Sequence, residues 1–111
     1  MQILEQRQGA VLVLRPQGPL IQADAAAFRD RMLDVMGPSM GRVIIDASAI
    51  PYVDSLGLEA LLDVAEEMSA GGQVLRLCGV NDTVREVMEL TDIASHFEHF
   101  EDMVAAVKSF T

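Results

Sequence analysis

Basic side chains are scarce in this chain. Eight Lys and Arg stand against 17 Asp and Glu, which gives 111 residues a formal net charge of −9. Nucleic-acid binding requires clustered Lys and Arg to displace counterions from phosphates, so that class is excluded. Adsorption to an anionic membrane surface is disfavoured for the same reason. Cysteine is nearly absent as well: Cys78 stands alone and has no partner for an internal disulfide, which points to a reducing compartment. No apolar run approaches the ~18 residues of a membrane span, and the N-terminus shows no basic region followed by an apolar stretch. The expected location is the cytoplasm.

Hydrophobic residues make up half of the chain, far too many for disorder. The length suits one domain over residues 1–111, without internal repeats, low-complexity tracts or linkers. Val11-Leu12-Val13-Leu14, between Gly9 and the turn-prone Pro16-Gln17-Gly18-Pro19, reads as a strand, with Gln2 to Arg7 as its hairpin partner. Asp24 stands as an N-cap before a helix over 25–36, where Phe28, Met32, Val35 and Met36 recur at helical spacing and Gly37-Pro38 ends the run. Arg42 to Asp46 contains three consecutive β-branched residues, the pattern of a strand buried on both faces. After Asp54-Ser55 the period turns helical. With Glu59 at 0° and about 100° per residue, Leu58, Leu61, Leu62, Ala65 and Met68 fall between roughly 180° and 300°. The acids Glu59, Asp63, Glu66 and Glu67 take the other side, and Gly71-Gly72 closes the helix.

Gln73 to Cys78 reads as a further strand, Asn81 as the N-cap of a helix over 83–90, His96 to Phe100 as an edge strand, and Glu101 to Phe110 as a last helix. The order is β β α β α β α β α. Strands alternating with helices imply an α/β domain with a partly parallel sheet.

The junction at Ser55 is the most informative segment. A buried strand ends in a turn, and a carboxylate and a hydroxyl then open an acidic-faced helix. The first N–H groups of a helix lack intrahelical partners and sit at the positive end of its dipole, so Asp54 or Ser55 can cap them. Ser55 is then either a plain cap or a modification site. A phosphate esterified there would meet the same donors and add about −1.5 to −2 of charge without unfolding the helix.

The residues Asp54-Ser55-Leu56-Gly57-Leu58, preceded by Val43-Ile44-Ile45-Asp46 and Ile50-Pro51-Tyr52-Val53, resemble the STAS domains of bacterial anti-sigma factor antagonists. In that family a hydrophobic strand ends in Asp and is followed by a hydrophobic residue and Asp-Ser-(Ser/Thr/Ala)-Gly-Leu. Gly18-Pro19-Leu20 with the helix start Ala23 to Phe28 is similar to its first strand-to-helix turn. Gly71 to Leu77 is similar to its Gly-rich turn into the next strand, and Thr91-Asp92-Ile93 takes the place of its Thr-Gly-Leu. The resemblance implies a small mixed sheet with about four helices packed on one face. It also implies a protein-binding module that captures an anti-sigma factor, itself a serine kinase, while unphosphorylated. Phosphorylation ends the capture and a phosphatase restores it. Ser55 aligns with the phosphoacceptor and Asp54 with the adjacent acid; Leu56, Gly57 and Glu59 would belong to the docking face. Two positions depart from the pattern. Ile21 stands where members often carry an acid, and Leu56 where the residue is usually small or hydroxylated. Leu56 falls on the acidic side of the helix, either as a partner anchor or as a cover over a neighbouring loop.

Between Arg42 and Arg76 the chain has six acids and no Lys or Arg: Asp46, Asp54, Glu59, Asp63, Glu66 and Glu67. These form either an ordinary solvated helix face or a negative patch that steers a basic partner. An enzyme is not expected. No phosphate-binding or dinucleotide-binding glycine loop occurs, and no His lies near Ser55 in sequence to act as its base. No cofactor is called for. His96 and His99 on a strand would point to opposite faces, and no Cys or further His completes a metal-ligand set. Two other readings are a non-switching STAS scaffold or accessory subunit of a signalling assembly or lipid transport complex, and a small-molecule sensor.

Overall fold

A computed structural model describes residues 1–111. The elements are β1 (Gln2–Gln8), β2 (Val11–Gln17), α1 (Gln22–Met36), β3 (Val43–Asp46), α2 (Ser55–Ala70), β4 (Leu75–Cys78), α3 (Asp82–Leu90), β5 (Phe97–Phe100) and α4 (Met103–Lys108), with a 3-10 turn over Ala94–His96. The strands lie in the order β1-β2-β3-β4-β5. β1 runs antiparallel to β2, with Gln2 opposite Gln17 and Gln8 opposite Val11. Gly9 makes the tight hairpin possible by taking a φ of +63°. The remaining pairs, β2 with β3, β3 with β4 and β4 with β5, are parallel. The sheet is therefore mixed, as expected.

The consecutive apolar residues of β2 and β3 follow from cover on both sides of the sheet. Leu12, Leu14, Val43, Ile45, Leu75 and Leu77 point to one face and pack with Phe28, Met32 and Val35 of α1, Leu58, Leu61, Val64 and Met68 of α2, and Val84 and Met88 of α3. Each fully buried aliphatic or aromatic side chain contributes about 1.5–3 kcal/mol, so this layer dominates stability. Val11, Val13, Ile44 and Cys78 point the other way, against Ala106 of α4 with Met103, Val107 and Phe110 beside it. Arg76 fastens the end of α4 there: its Nε donates to Ser109 Oγ at 2.8 Å, and its guanidinium lies 3.8 Å from the Phe110 ring centroid. Four helices are present, but they do not share one face. Three cover the front and α4 covers the back, because the apolar stripe Met103, Val107, Phe110 has only the back of the sheet to bury against.

Helix α1 begins at Gln22, not at Ala25, and its N-cap position is Ile21 rather than Asp24. Asp24 instead lies in the first turn, where it pairs with the N-terminal ammonium at 2.9 Å. That pairing ties the start of β1 to α1.

Candidate functional site: the turn between β3 and α2

The chain leaves β3 at Asp46 and enters α2 at Ser55, beyond the carboxyl ends of the parallel strands, where open α/β sheets place their sites. The connection is held at every stage. Asp46 Oδ1 accepts from the Ser48 N–H at 3.0 Å, and Ala47 and Ile50 are buried. The Asn81 amide donates to the carbonyls of Ile50 and Pro51 at 3.3 and 3.1 Å. Leu20 and Val53 then pair as an isolated parallel bridge: Leu20 N–H donates to Tyr52 O at 3.2 Å, and Asp54 N–H donates to Leu20 O at 3.3 Å.

Asp54 closes this arrangement. Its Oδ1 accepts from the Gly57 N–H at 2.8 Å and caps α2. Its Oδ2 accepts from the Gln22 N–H, also at 2.8 Å, and so supplies the cap that Ile21 cannot give α1. One carboxylate thus satisfies the starts of two helices. The Gly57 N–H is the foremost cause holding its pKa below the ordinary 3.8, and the Gln22 N–H acts in the same direction against the opposing effect of desolvation. Gly57 itself is fixed by crowding, since a Cβ there would overlap the Leu20 carbonyl oxygen.

Because Asp54 is the cap, Ser55 occupies the first helical position, exposed, with its hydroxyl uncommitted. Leu56 is 40% exposed. With Glu59 it lines a shallow groove of about 160 Å³ between α1 and α2, whose other walls include Gln22, Ala26 and Arg29. Leu56 is thus a wall of a groove between two helices. Tyr52, within the same connection, is 52% exposed. The acidic run is not wholly unpaired: Asp63 faces Arg29 at 3.5 Å, and Asp46 lies 4.0 Å from Arg15. Such exposed pairs add little stability, yet the Arg29–Asp63 pair reduces the charge presented at the groove. Asp54, Leu56, Gly57 and Glu59 are thus brought together around Ser55, although Gly57 is buried.

The histidines sit elsewhere. His96 ends the 3-10 turn and β5 starts only at Phe97, so the two are not on one strand. His99 Nε2 lies 2.9 Å from the Ala94 carbonyl, which can only accept, so Nε2 is the donor, and the ring stands edge-on to Phe97. Burial lowers its pKa. No group of three or more His, Cys, Asp or Glu side chains is placed to hold a metal ion. Burial also pushes the Cys78 thiol up to about 12, with Asp46 and Asp102 adding to it, so it is a poor nucleophile.

Sequence reasoning missed three participants: Leu20, Gln22 and the donating side of Asn81. Asp54 and Gly57 at i and i+3 mark the α2 cap locally. Nothing local marks a bond from Asp54 to a residue 32 positions earlier.

The family model for the STAS domain matches residues 2–106. The chain belongs to the STAS domain family. BtrV of Bordetella bronchiseptica, provisionally named an anti-sigma factor antagonist, is 26% identical over 110 residues, 99% of this chain and 95% of that protein. The crystal structure of tm1081 from Thermotoga maritima, described in the same provisional terms, superposes with a TM-score of 0.88 at 18% identity, covering 96% of this chain and 92% of that one. The anti-sigma factor antagonist SpoIIAA in its unphosphorylated form gives a TM-score of 0.73 at 14% identity, covering 98% and 96%. At these identities the solved structures establish a shared fold. The fold is not confined to such proteins: part of a murine anion transporter, Slc26a9, matches 95% of this chain and 18% of the transporter, with a TM-score of 0.75 at 19% identity. No helix here is long and apolar enough to cross a membrane.

Proposed function

We propose that this STAS domain is an anti-sigma factor antagonist that captures an anti-sigma factor with serine kinase activity and releases it when Ser55 is phosphorylated. The observation that carries the reading is the division of labour at the α2 start: Asp54 does the capping, and Ser55 is left exposed and uncommitted. Phosphorylation therefore removes no hydrogen bond on which the fold depends. It adds about −1.5 to −2 of charge beside Asp54 and one helical turn before Glu59. A partner surface that packs closely on Leu56 and Glu59 must then desolvate a phosphate, and an imperfectly paired buried charge there costs several kcal/mol. The partner is a protein with a basic or apolar contact surface, and a phosphatase reverses the modification. The domain performs no catalysis of its own in this scheme; the kinase supplies the chemistry.

The test is binding of the kinase-type anti-sigma factor by titration calorimetry. Ser55→Asp is expected to lose binding by at least tenfold while its thermal melt matches the parent. Equal affinity of parent and variant would leave Ser55 a structural residue and favour a non-switching scaffold.

A further inference from the structure

The two edges of the sheet differ. β5 is short, four residues, and follows directly on the 3-10 turn. β1 has seven residues, Gln-Ile-Leu-Glu-Gln-Arg-Gln, all exposed or half-exposed, paired to β2 in unbroken register. Natural edges are usually protected by Pro, Lys, a bulge or brevity. β1 has none of these. It has one acid and one base, Glu5 and Arg7.

The hairpin fixes which backbone groups remain free. In an antiparallel pair hydrogen-bonded and non-hydrogen-bonded residues alternate, and the two-residue turn makes Gln8 and Val11 the first bonded pair. Gln8, Gln6, Leu4 and Gln2 therefore bond inward to β2, and Ile3, Glu5 and Arg7 present their N–H and C=O groups outward. A second copy approaching antiparallel about a two-fold axis through Gln6 places Glu5 opposite Arg7 of the other copy, twice by symmetry. Both residues have outward backbone groups, so the same register forms four main-chain hydrogen bonds across the axis. Moving the axis to Glu5 sets Glu5 against its own copy, which is repulsive. Arg31 reaches Glu5 on the front face, with its Nε at 2.7 Å, and leaves Arg7 without an ion-pair partner within the chain. The charges that block indiscriminate pairing are thus complementary in one symmetric register.

We infer that β1 is a self-recognition edge, through which two copies of this chain join their sheets antiparallel about Gln6, with Glu5 facing Arg7 of the other copy. The contact uses one strand per copy, well short of the area of a stable interface, so the dimer is weak and concentration-dependent. It uses no residue of the Ser55 turn and does not depend on the function proposed for that turn.

Sedimentation equilibrium from micromolar to millimolar chain tests it. The parent mass is expected to rise from 12.1 kDa toward twice that value. Arg7→Glu and Glu5→Lys are each expected to remain monomeric, whereas their equimolar mixture, in which acidic and basic edges match, recovers the dimer. Circular dichroism melts check that both variants fold. The amides of Glu5 and Arg7 are expected to exchange more slowly at high concentration. A parent that stays monomeric throughout overturns the inference, as do single variants that dimerise like the parent, or a mixture that stays monomeric.

Discussion

The starts of α2 and α3 are built alike and behave differently. Each is capped by a side chain with a second task. Asp54 accepts from Gly57 in its own helix and from Gln22 in α1. Asn81 accepts from Val84 at 2.8 Å in its own helix and donates to Ile50 and Pro51 in the turn below Ser55. A carboxylate only accepts, so it suits a place where two helix N-termini converge and both offer N–H groups. An amide accepts and donates, so it suits a place where one helix start meets two free carbonyls. Together the two caps pin the loop that carries Ser55 from both ends without using Ser55. That leaves the Ser55 hydroxyl exposed and outside the hydrogen bonds that hold the loop.

The largest disturbance to this contrast is expected at Gly57. Replacing it with Ala forces a Cβ into the Leu20 carbonyl, and the backbone must separate α2 from the Leu20–Val53 bridge. Overpacking of this kind costs about 1–3 kcal/mol, measurable by urea unfolding; an unchanged midpoint would show that α2 and Leu20 are less tightly fitted than described. The charged cap predicts a pH signature. Asp54 titrates below its ordinary 3.8 in the fold, so its contribution is fully present above that value and is lost as pH falls through the lowered one. Asp54→Asn keeps one oxygen acceptor, is destabilised at neutral pH, and is expected to lose this portion of the acid sensitivity. The neutral cap gives smaller effects. Asn81→Ala should cost about 0.5–2 kcal/mol, and Asn81→Asp should recover the cap but not the donation to Ile50 and Pro51. A full recovery by Asp would show that the amide's second role is dispensable.

Much of this was legible in the chain. Three consecutive β-branched residues marked β3 as buried on both sides, and the acidic stripe of α2 with its closing glycines marked its exposed face and its end. Asp54 and Asn81 were readable as caps because capping is local, reaching two or three residues. The departures arise where a long-range contact overrides a local preference. Asp24 is a good N-cap by residue type, yet α1 starts earlier because Asp54 caps it from across the fold. The face covered by α4 could not be read from its own stripe, since periodicity says that a helix buries one side and not which side of a sheet receives it. Leu56 appeared misplaced among acids because the helical wheel omits the neighbouring helix whose groove it lines.

The most direct measurement of the central claim is the intact mass of the parent and of Ser55→Ala after incubation with ATP and the kinase-type anti-sigma factor. Ser55→Ala is expected to fold with stability within about 0.5 kcal/mol of the parent, as an exposed substitution that breaks no cap should. The account predicts that the parent gains the mass of one phosphate and the variant gains none. A parent that remains unmodified under conditions where the kinase is active, or a variant that is phosphorylated equally, would contradict it.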